Sequence, residues 1–288
     1  MEENRKRMLV TGASGFLGSR ILWFYRDRYE VCVPSHGEMD ITDRESVERV
    51  FDRIRPHLVI HCAAVSDVGA CERAPEDSWR INVDGSRNIA QMSALYRAKC
   101  VAASSDQVYF GSSGTQPHRE DEELHPGNVY GREKLRAEEE CLDVNPDCVL
   151  LRLSWMYDLR VTREGEHGDF FRILAAQLKN PGNLEYPVHD RRGITDVNEV
   201  VRSLEQALAL KGGVYNFGSP NDRNTYETVL ELFRFLGLDT ARLRENTERY
   251  ASAPRNLSMD QGKIRECGIN FLPTLQALQE NGRLHFSF

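Results

Sequence analysis

The sequence lacks any apolar stretch long enough to cross a lipid bilayer, which would need about 20 consecutive apolar residues. The opening stretch MEENRKRMLVTG also lacks the apolar region of a secretory signal. Hydrophobic residues make up 40% of the 288 residues and charged residues 28%, which is ordinary for a globular protein in water. These features predict a cytoplasmic protein with no membrane partner.

Cysteine pairs with the spacing of a zinc site or a disulfide framework are missing as well. The seven cysteines are odd in number, scattered and never in C-x-x-C spacing, and several lie in apolar runs. No cluster of His, Asp and Glu has the spacing of metal ligands. The sequence therefore predicts reduced thiols in small core positions and no metal site.

An excess of positive charge is also absent. The formal net charge is −7, which argues against non-specific binding to nucleic acid.

No internal repeat or low-complexity linker divides the chain, and its length suits one large domain or two lobes.

Short apolar runs that alternate with longer helical patterns make up the first half of the sequence. The runs RMLVTG, YEVCVP, HLVIHCAA, CVAASS and CVLLRLSW predict strands, and DSWRINVDGSRNIAQMSALYRA predicts one long helix between two of them. This alternation indicates a parallel sheet with helices on both faces. The predicted fold class is α/β, a Rossmann-type doubly wound parallel sheet with a smaller, partly discontinuous C-terminal substrate lobe. The dinucleotide-binding domain is expected over 1–157, with 188–220 returning to it, and the substrate lobe over 158–187 and 221–288.

A glycine-rich turn follows the first predicted strand, in LVTGASGFLGSR. Glycine allows a tight turn there and a close approach of the backbone to a pyrophosphate, and the helix that follows offers free N–H groups to the phosphates. The strand–turn–helix context favours a dinucleotide cofactor over a chance glycine triplet. The predicted cofactor-binding residues of this turn are Gly12, Ser14, Gly15, Phe16, Leu17 and Gly18.

The second predicted strand is followed by VCVPSHGEMD, in which no acid closes the strand. An acid at that place usually binds the ribose hydroxyls of NAD, so Ser35 and His36 favour NADP(H) over NAD(H), with an ordinary loop as the alternative. Asp40 and Ile41 are expected to meet the adenine. Alternatively, Asp40 caps the helix that follows.

Small side chains close the third and fourth predicted strands. HCAAVSD places Cys62, Ala63 and Ala64 at one strand end, and SSDQVYFG places Ser104 and Ser105 at the next. Since ligands of parallel α/β sheets bind at the carboxyl ends of the strands, these residues are expected to line the cofactor crevice. The alternatives are tight packing for the alanines and a turn for the serines.

The stretch NVYGREKLRAEEE places Tyr130 and Lys134 one helical turn apart on one face of a predicted helix. On spacing alone, a surface pair is the alternative. The motifs TGASGFLG, DITD, HCAAVSDV, INVDGSRNIA, SSDQVYFG, YGREK and LRLSWMYD together resemble the extended short-chain dehydrogenase/reductase family over nearly the whole chain. Within that family, SSDQVYFG, LRLSWMY and PRNLSMD are most similar to dTDP-4-dehydrorhamnose reductases.

This resemblance implies a nicotinamide-dependent reductase of a nucleotide-linked 4-keto-6-deoxy sugar, with a homodimer as a further expectation. Tyr130 would protonate the developing alkoxide, and Lys134 would lower the cost of the phenolate and bind the nicotinamide ribose. Ser105 would donate a hydrogen bond to the substrate carbonyl. The substrate-binding residues that the resemblance implies are Ser66, Val68, Ser105, Asp106 and Trp155.

Some positions depart from the pattern of the reductases. Gly69 and Gln107 replace residues near the sugar, Ser258 stands where a basic residue is common, and Trp155 could instead be a core residue. Two other functions stay open on the sequence. One is a cofactor-binding regulatory subunit like the β subunit of methionine adenosyltransferase, and the other is a sibling sugar-nucleotide epimerase. A dehydratase is disfavoured because no Glu follows Asp106.

Overall fold

The computed structural model describes residues 5–112, 114–159 and 168–285. Twelve strands occur in this part of the chain. They are β1 (Arg7–Thr11), β2 (Glu30–Cys32), β3 (Leu58–His61), β4 (Lys99–Ser105), β5 (Val149–Leu153), β6 (Trp155–Tyr157), β7 (Leu184–Pro187), β8 (Asp190–Arg192), β9 (Ile194–Asp196), β10 (Gly213–Phe217), β11 (Leu243–Asn246) and β12 (Arg255–Leu257).

Eleven α-helices accompany these strands over the same described ranges. They are α1 (Phe16–Tyr25), α2 (Arg44–Ile54), α3 (Val68–Arg73), α4 (Pro75–Trp79), α5 (Ser86–Leu95), α6 (Val129–Val144), α7 (Phe170–Leu178), α8 (Val197–Ala207), α9 (Thr225–Leu236), α10 (Gly262–Glu266) and α11 (Thr274–His285). A π-helical turn, Arg80–Gly85, joins α4 to α5, and short 3₁₀ turns lie at Asp106–Tyr109 and Thr240–Arg242.

The central sheet has six strands in the order β10-β5-β4-β3-β1-β2. Strand β1 pairs in parallel with both β2 and β3, and β3 pairs in parallel with β4. The chain therefore begins at an inner strand and crosses over helices, as a doubly wound fold requires. The predicted fold class is confirmed.

The chain forms two compact units, each assembled from three segments. The first comprises Met1–Val108, Pro126–Arg152 and Val201–Tyr215, and the second Tyr109–His125, Leu153–Val200 and Asn216–Phe288. The predicted functional boundaries, with a substrate lobe over 158–187 and 221–288, stay a prediction. The packing units differ from them in four places, because 109–125, 153–157, 188–200 and 216–220 all belong to the second unit.

Each unit has its own apolar core. In the first unit, residues from β1, β3 and β4 pack against α2, α5 and α6, with Leu9, Phe51 and Ile89 fully buried. In the second unit, Phe171 of α7 and Phe233 of α9 are fully buried in a separate cluster.

All seven cysteines are free, and four of them are buried, which agrees with small core positions for most of the thiols.

The long helix predicted over residues 77–98 is wrong in its middle. The structure divides it into α4, the π-helical turn Arg80–Gly85 and α5.

Within the described ranges, no helix is long and apolar enough to cross a membrane. The same residues contain no group of three or more His, Cys, Asp and Glu side chains that could hold a metal ion.

Candidate active site

The glycine turn between β1 and α1 depends on glycine at its first and last positions. Gly12 has φ +67°, and a Cβ there would lie 2.6 Å from the backbone nitrogen of Ala63. A Cβ on Gly18 would lie 2.3 Å from the carbonyl oxygen of Gly12. Side chains at these two positions would therefore force the turn away from β3 and α1.

The opening of α1 is free to meet an anion. Gly15 is the N-cap and has no side-chain cap, and both Ser14 and Gly15 are exposed. The first N–H groups of a helix lack partners within the helix and carry a partial positive charge. This turn, with Phe16 half-buried and Leu17 buried behind it, can hold a pyrophosphate as the sequence predicts.

Thr11 and His61 form hydrogen bonds next to the glycine turn, and the sequence analysis missed both residues. The Thr11 hydroxyl accepts hydrogen bonds from the backbone N–H groups of Cys62 and Ala63, both at 3.2 Å. Its oxygen lies 2.7 Å from Nδ1 of His61, whose Nε2 lies 3.0 Å from the Ser86 hydroxyl. Burial lowers the pKa of His61 to about 3, so the imidazole is neutral at physiological pH.

The crevice residues at the end of β3 lie directly beside this support. Cys62, Ala63 and Ala64 are half-buried, so part of each remains open to a ligand. Burial raises the pKa of the Cys62 thiol to about 12, although Lys134 opposes the shift. Cys62 is therefore a neutral lining group and not a reactive thiolate.

The predicted 2′-phosphate region contains an acid that the sequence interpretation overlooked. The backbone N–H and the hydroxyl of Ser35 both donate to one oxygen of Glu38, at 2.9 and 2.8 Å. These two bonds lower the pKa of Glu38. The Ser35 hydroxyl is thus occupied by a carboxylate, whereas His36 is exposed.

The alternative that Asp40 caps the following helix is wrong. The N-cap of α2 is Asp43, whose side chain accepts from the Glu45 N–H. Asp40 instead accepts from the N–H and hydroxyl of Thr42, at 2.9 and 2.8 Å, and these bonds lower its pKa. Ile41 packs against the π-helical turn, because a Cβ on Gly85 would lie 2.8 Å from its side chain.

Tyr130 and Lys134 lie in the first turns of α6, and both are buried. Asn128 starts the helix as its N-cap, accepting from the Gly131 N–H. The Lys134 ammonium lies 5.8 Å from the centre of the Tyr130 ring and donates to the Ala103 carbonyl at 3.0 Å. The two residues are therefore not a surface pair, and the Lys134 ammonium is fixed by the backbone of β4.

Burial is the main influence on both titratable groups. It raises the pKa of Tyr130, and a hydrogen bond with Ser105 only partly opposes this. It lowers the pKa of Lys134, which nearby thiols and carboxylates partly restore. The phenol consequently holds its proton at neutral pH, as a general acid must before it acts.

Ser105 ends β4 and shares a small polar cluster with its neighbours. Its hydroxyl contacts Asp106 at 3.3 Å and accepts from the Gln107 N–H at 3.2 Å. The Gln107 side chain accepts from the Asn128 amide at 3.0 Å. The bond between Asn128 and Gln107 therefore ties the serine segment to the start of α6, where Tyr130 lies.

Ser104 forms a hydrogen bond that the sequence analysis did not anticipate. Its hydroxyl donates to Glu138, which also forms a buried ion pair with Arg152 at 2.7 Å. The hydroxyl is thus committed to the core beneath the site. Its predicted contact with the cofactor stays a prediction.

The predicted substrate residues fall in both units. In the first unit Ser66 is exposed, Val68 begins α3 and is half-buried, and Asp106 is buried. Trp155 belongs to the second unit, where it is half-buried on β6 with its ring centre 6.1 Å from that of Phe170. The substrate roles of these residues stay predictions.

Comparisons with known proteins place this geometry in context. A family model described as RmlD substrate binding domain matches residues 6–280. The dTDP-4-dehydrorhamnose reductase of Streptomyces griseus is 33% identical over 280 residues, covering 92% of this chain and 89% of that protein. Methionine adenosyltransferase 2 subunit beta of Bos taurus is 26% identical over 284 residues, covering 92% of this chain and 83% of that protein.

Solved structures agree with these matches. The crystal structure of a dTDP-4-dehydrorhamnose reductase from Clostridium acetobutylicum has a TM-score of 0.83 and 25% identity, with 96% of this chain and 99% of that chain covered. The resemblance predicted from the sequence motifs is confirmed. Because the family model extends over the glycine turn, Ser105, Tyr130 and Lys134 and over most of both units, the chain belongs to the RmlD substrate binding domain family.

Proposed function

We propose that the protein is an NAD(P)H-dependent reductase of a nucleotide-linked 4-keto-6-deoxy sugar. The observation that carries this proposal is the buried group of Ser105, Tyr130 and Lys134 in the same unit as the glycine turn. A phenol, a hydroxyl donor and a fixed ammonium are the groups that ketone reduction needs from a protein. The reductases among the relatives support the substrate class.

The residues of the first unit fit a dinucleotide. Gly12 lets the turn pack directly against the backbone of Ala63, where a Cβ would not fit, and the uncapped start of α1 supplies N–H donors to a pyrophosphate. A bound nicotinamide would supply the hydride for the ketone carbon. A related dTDP-4-dehydrorhamnose reductase from Bacillus anthracis was solved with NADP, and we favour NADP(H) over NAD(H) for this chain.

In the proposed reaction, side chains of the protein orient the ketone and supply the proton. Ser105 donates a hydrogen bond to the ketone oxygen and orients it toward Tyr130. Tyr130 then transfers its phenolic proton to that oxygen as negative charge develops. The Lys134 ammonium, held by the Ala103 carbonyl, stabilises the phenolate left behind.

Seven free cysteines fit a reducing compartment, so we place the protein in the cytoplasm. We also propose a homodimer, and we propose no nucleic-acid or membrane partner for a chain of net charge −7.

A panel of nucleotide-linked keto sugars tests the proposed activity. Each sugar is mixed with the protein and NADPH or NADH, and loss of reduced nicotinamide absorbance is followed with Tyr130→Phe as the matched control. We expect oxidation of the cofactor with at least one dTDP-linked 4-keto-6-deoxy sugar, and almost none with the variant. Equal rates for both proteins, or no reduction of any sugar, would contradict the proposal.

A cofactor-binding regulatory subunit is the second candidate function. It is supported by the β subunits of methionine adenosyltransferase 2 from three mammals and Xenopus laevis, which are 26–28% identical over 92% of this chain. If it is correct, the protein binds nicotinamide cofactor, reduces no sugar and forms a stable complex with a purified methionine adenosyltransferase catalytic subunit in size-exclusion chromatography. Reduction of a sugar without complex formation would exclude it.

A further inference from the structure

A basic groove lies at the amino-terminal edge of the central sheet, within the first unit. Its volume is about 490 Å³, and small-molecule sites have volumes of about 300–1,000 Å³. Its lining comes from residues that precede β1, β3 and β4, among them the cations Lys6, Arg55 and Arg97. None of the described residues that line it is acidic. In a chain of net charge −7, this concave surface is therefore a local reversal of charge.

The basic groove is separate from the glycine turn. Strands β1, β3 and β4 run in parallel, and the candidate cofactor residues Gly12 and Cys62 follow the first two of them. The groove residues precede the same strands. The shortest of these strands, β3, has four residues, so the two edges are roughly 13 Å or more apart at about 3.3 Å per residue. A ligand in the groove would leave the cofactor turn free.

Two of the three cations occupy backbone positions that favour glycine. Arg55 and Arg97 have φ +50° and +56°, in the left-handed region that L side chains rarely adopt. Arg55 directly follows the last residue of α2, and Arg97 lies two positions beyond α5. Glycine is the usual residue where a helix ends in this conformation. The chain therefore places arginine on the groove at two positions where the backbone alone would favour glycine.

Neutralisation of helix carbonyls does not account for these cations. At the end of α2 that role belongs to Arg7, whose Nε donates to the carbonyls of Ile54 and Arg55 at 2.6 and 3.0 Å. Lys6 and Arg97 are exposed, and over the described ranges neither side chain has a hydrogen bond or an ion pair. Both cations are therefore available to an anion.

Asp52 is the acid that bonds to residues of the groove. It accepts from the Arg55 guanidinium at 2.8 Å and from the Tyr96 hydroxyl at 2.7 Å. The same guanidinium lies 5.0 Å from the centre of the Tyr96 ring. Asp52 thus offsets the charge of Arg55 and fixes its position, while Lys6 and Arg97 keep their charges.

A neutral donor and an apolar wall complete the lining. Nδ1 of His57 accepts from the Arg7 N–H at 3.1 Å, so the ring carries its hydrogen on Nε2, which is left as a donor. Leu95, whose surface is 62% exposed, and the half-buried Tyr96 supply the wall. The groove therefore combines cationic and neutral N–H donors with an exposed apolar surface.

We propose that the basic groove binds a ligand with two or more phosphate groups. Guanidinium, ammonium and imidazole N–H groups are donors that phosphate oxygens accept from, and arginine matches phosphate geometry with two parallel bonds. The apolar wall favours a nucleotide over an inorganic polyphosphate, because a phosphate chain has no apolar part to pack on Leu95. The site does not depend on the proposed reductase function, since its residues take no part in that reaction.

Calorimetric titration of the NADPH-saturated protein with ATP tests the site, because bound NADPH keeps ATP out of the cofactor turn. We expect ATP to bind and the double variant Lys6→Gln/Arg97→Gln to raise its Kd about 10-fold or more. The control Lys179→Gln/Arg202→Gln removes the same charges at exposed positions outside the groove and should keep the wild-type Kd. Equal Kd values for the wild type and the groove variant, or no binding at millimolar ATP, would overturn the inference.

Arg97→Gly separates the loss of a cation from a loss of folding. Glycine adopts φ +56° without strain, so the temperature of thermal unfolding is not expected to fall. The affinity for ATP is nevertheless expected to fall several-fold, because the guanidinium is gone. An unchanged Kd in this folded variant would count against the site even if the double variant did not fold.

Inorganic triphosphate distinguishes the two sources of phosphate groups. We expect it to bind more weakly than ATP, and Leu95→Ser to weaken binding of ATP alone. Both results would support a nucleotide as the ligand. Equal affinities for the two probes, with no effect of Leu95→Ser, would support a polyphosphate site and contradict the preference for a nucleotide.

Discussion

At the scale of single residues, Tyr130 is buried, and burial raises the pKa of its phenol, which therefore keeps its proton at neutral pH. Tyr130→Phe keeps the ring and removes that proton. Because general acid catalysis contributes about 10²–10⁴-fold, kcat is expected to fall at least 100-fold, while the Kd for NADPH changes by no more than about 2-fold. Steady-state kinetics and fluorescence titration measure the two quantities.

Tyr96→Phe is the matched control for this prediction. Its hydroxyl donates to Asp52 at 2.7 Å in an exposed contact, and Tyr96 is not one of the groups assigned to the reaction. We expect unchanged kinetics. Turnover of Tyr130→Phe within a few-fold of the wild type would remove Tyr130 from its role as the acid.

Glu38 is expected to limit the preference for NADPH. Its carboxylate accepts from both donors of Ser35, close to the predicted position of the 2′-phosphate. Glu38→Gln removes a negative charge that would repel a phosphate. Because Glu38 is exposed and solvent screens its charge, the effect should be small, and the ratio of kcat/KM for NADPH over NADH should rise about 2- to 5-fold.

Glu45→Gln on α2 provides the comparison, because Glu45 is also an exposed acid but does not bond Ser35. Its ratio should equal that of the wild type. An unchanged ratio in Glu38→Gln would mean that Ser35 does not lie at the 2′-position.

Residue types could be predicted from the sequence more readily than their partners. The segment order brought Ser105, Tyr130 and Lys134 together, and the structure has them in one buried group. Glu38 and His61 were missed because each acts through a side-chain partner, and linear spacing does not reveal such partners. Ser104 shows the same limit, since its hydroxyl serves the buried pair of Glu138 and Arg152.

At the scale of elements, the turn between β1 and α1 is the most constrained connection near the site. Gly12→Ala would place a Cβ at φ +67° and 2.6 Å from the Ala63 nitrogen. The turn must then shift, so we expect a loss of about 1–3 kcal/mol in the free energy of unfolding and weaker binding of NADPH. Urea unfolding and fluorescence titration provide the measurements.

Gly37→Ala tests whether any added methyl group has this effect. A Cβ on Gly37 would meet no atom within 4 Å, and its backbone is not in the left-handed region. Its stability should lie within about 0.5 kcal/mol of the wild type. A similar loss in both variants would contradict the steric argument.

The helix between β3 and β4 shows why elements are easier to predict than their irregularities. Apolar periodicity over 77–98 indicates a helix, and α4 and α5 occupy most of that range. The π-helical turn depends on Asn82 bonding to Val65 and Glu133, which lie 17 and 51 positions away in the chain. A local pattern contains no information about such contacts.

At the scale of the whole molecule, each unit draws on segments that are far apart in sequence. The regular alternation of strands and helices in the first half predicted the parallel sheet. The later segments lack that regularity, so their assignment to units depends on packing that the sequence does not show. Segment 109–125 illustrates this, because it lies between Ser105 and Tyr130 in the chain but packs with the second unit, where the Tyr109 ring stacks on His118 at 4.6 Å.

Global stability is expected to depend on pH through His61. Its pKa is about 3 in the folded protein and about 6.5 in an unfolded chain, so the unfolded state binds the proton more readily. The folded pKa is depressed, and the contribution to stability is therefore complete above pH 6.5 and is lost as pH falls toward 3. Between pH 7 and pH 5 the loss from this residue should be about 2 kcal/mol.

Urea unfolding at pH 7, 6 and 5 measures this loss, with fluorescence and circular dichroism followed together to detect separate unfolding of the two units. His61→Gln cannot titrate in this range, so its stability should fall less steeply with pH than that of the wild type, although it starts lower because the bonds to Thr11 and Ser86 are altered. His125→Gln, at a side chain that is 82% exposed, should keep the wild-type slope. If His61→Gln and the wild type lost stability in parallel, the acid sensitivity would have to come from other groups, because a histidine that stays neutral in the folded state must weaken that state as its unfolded form gains a proton.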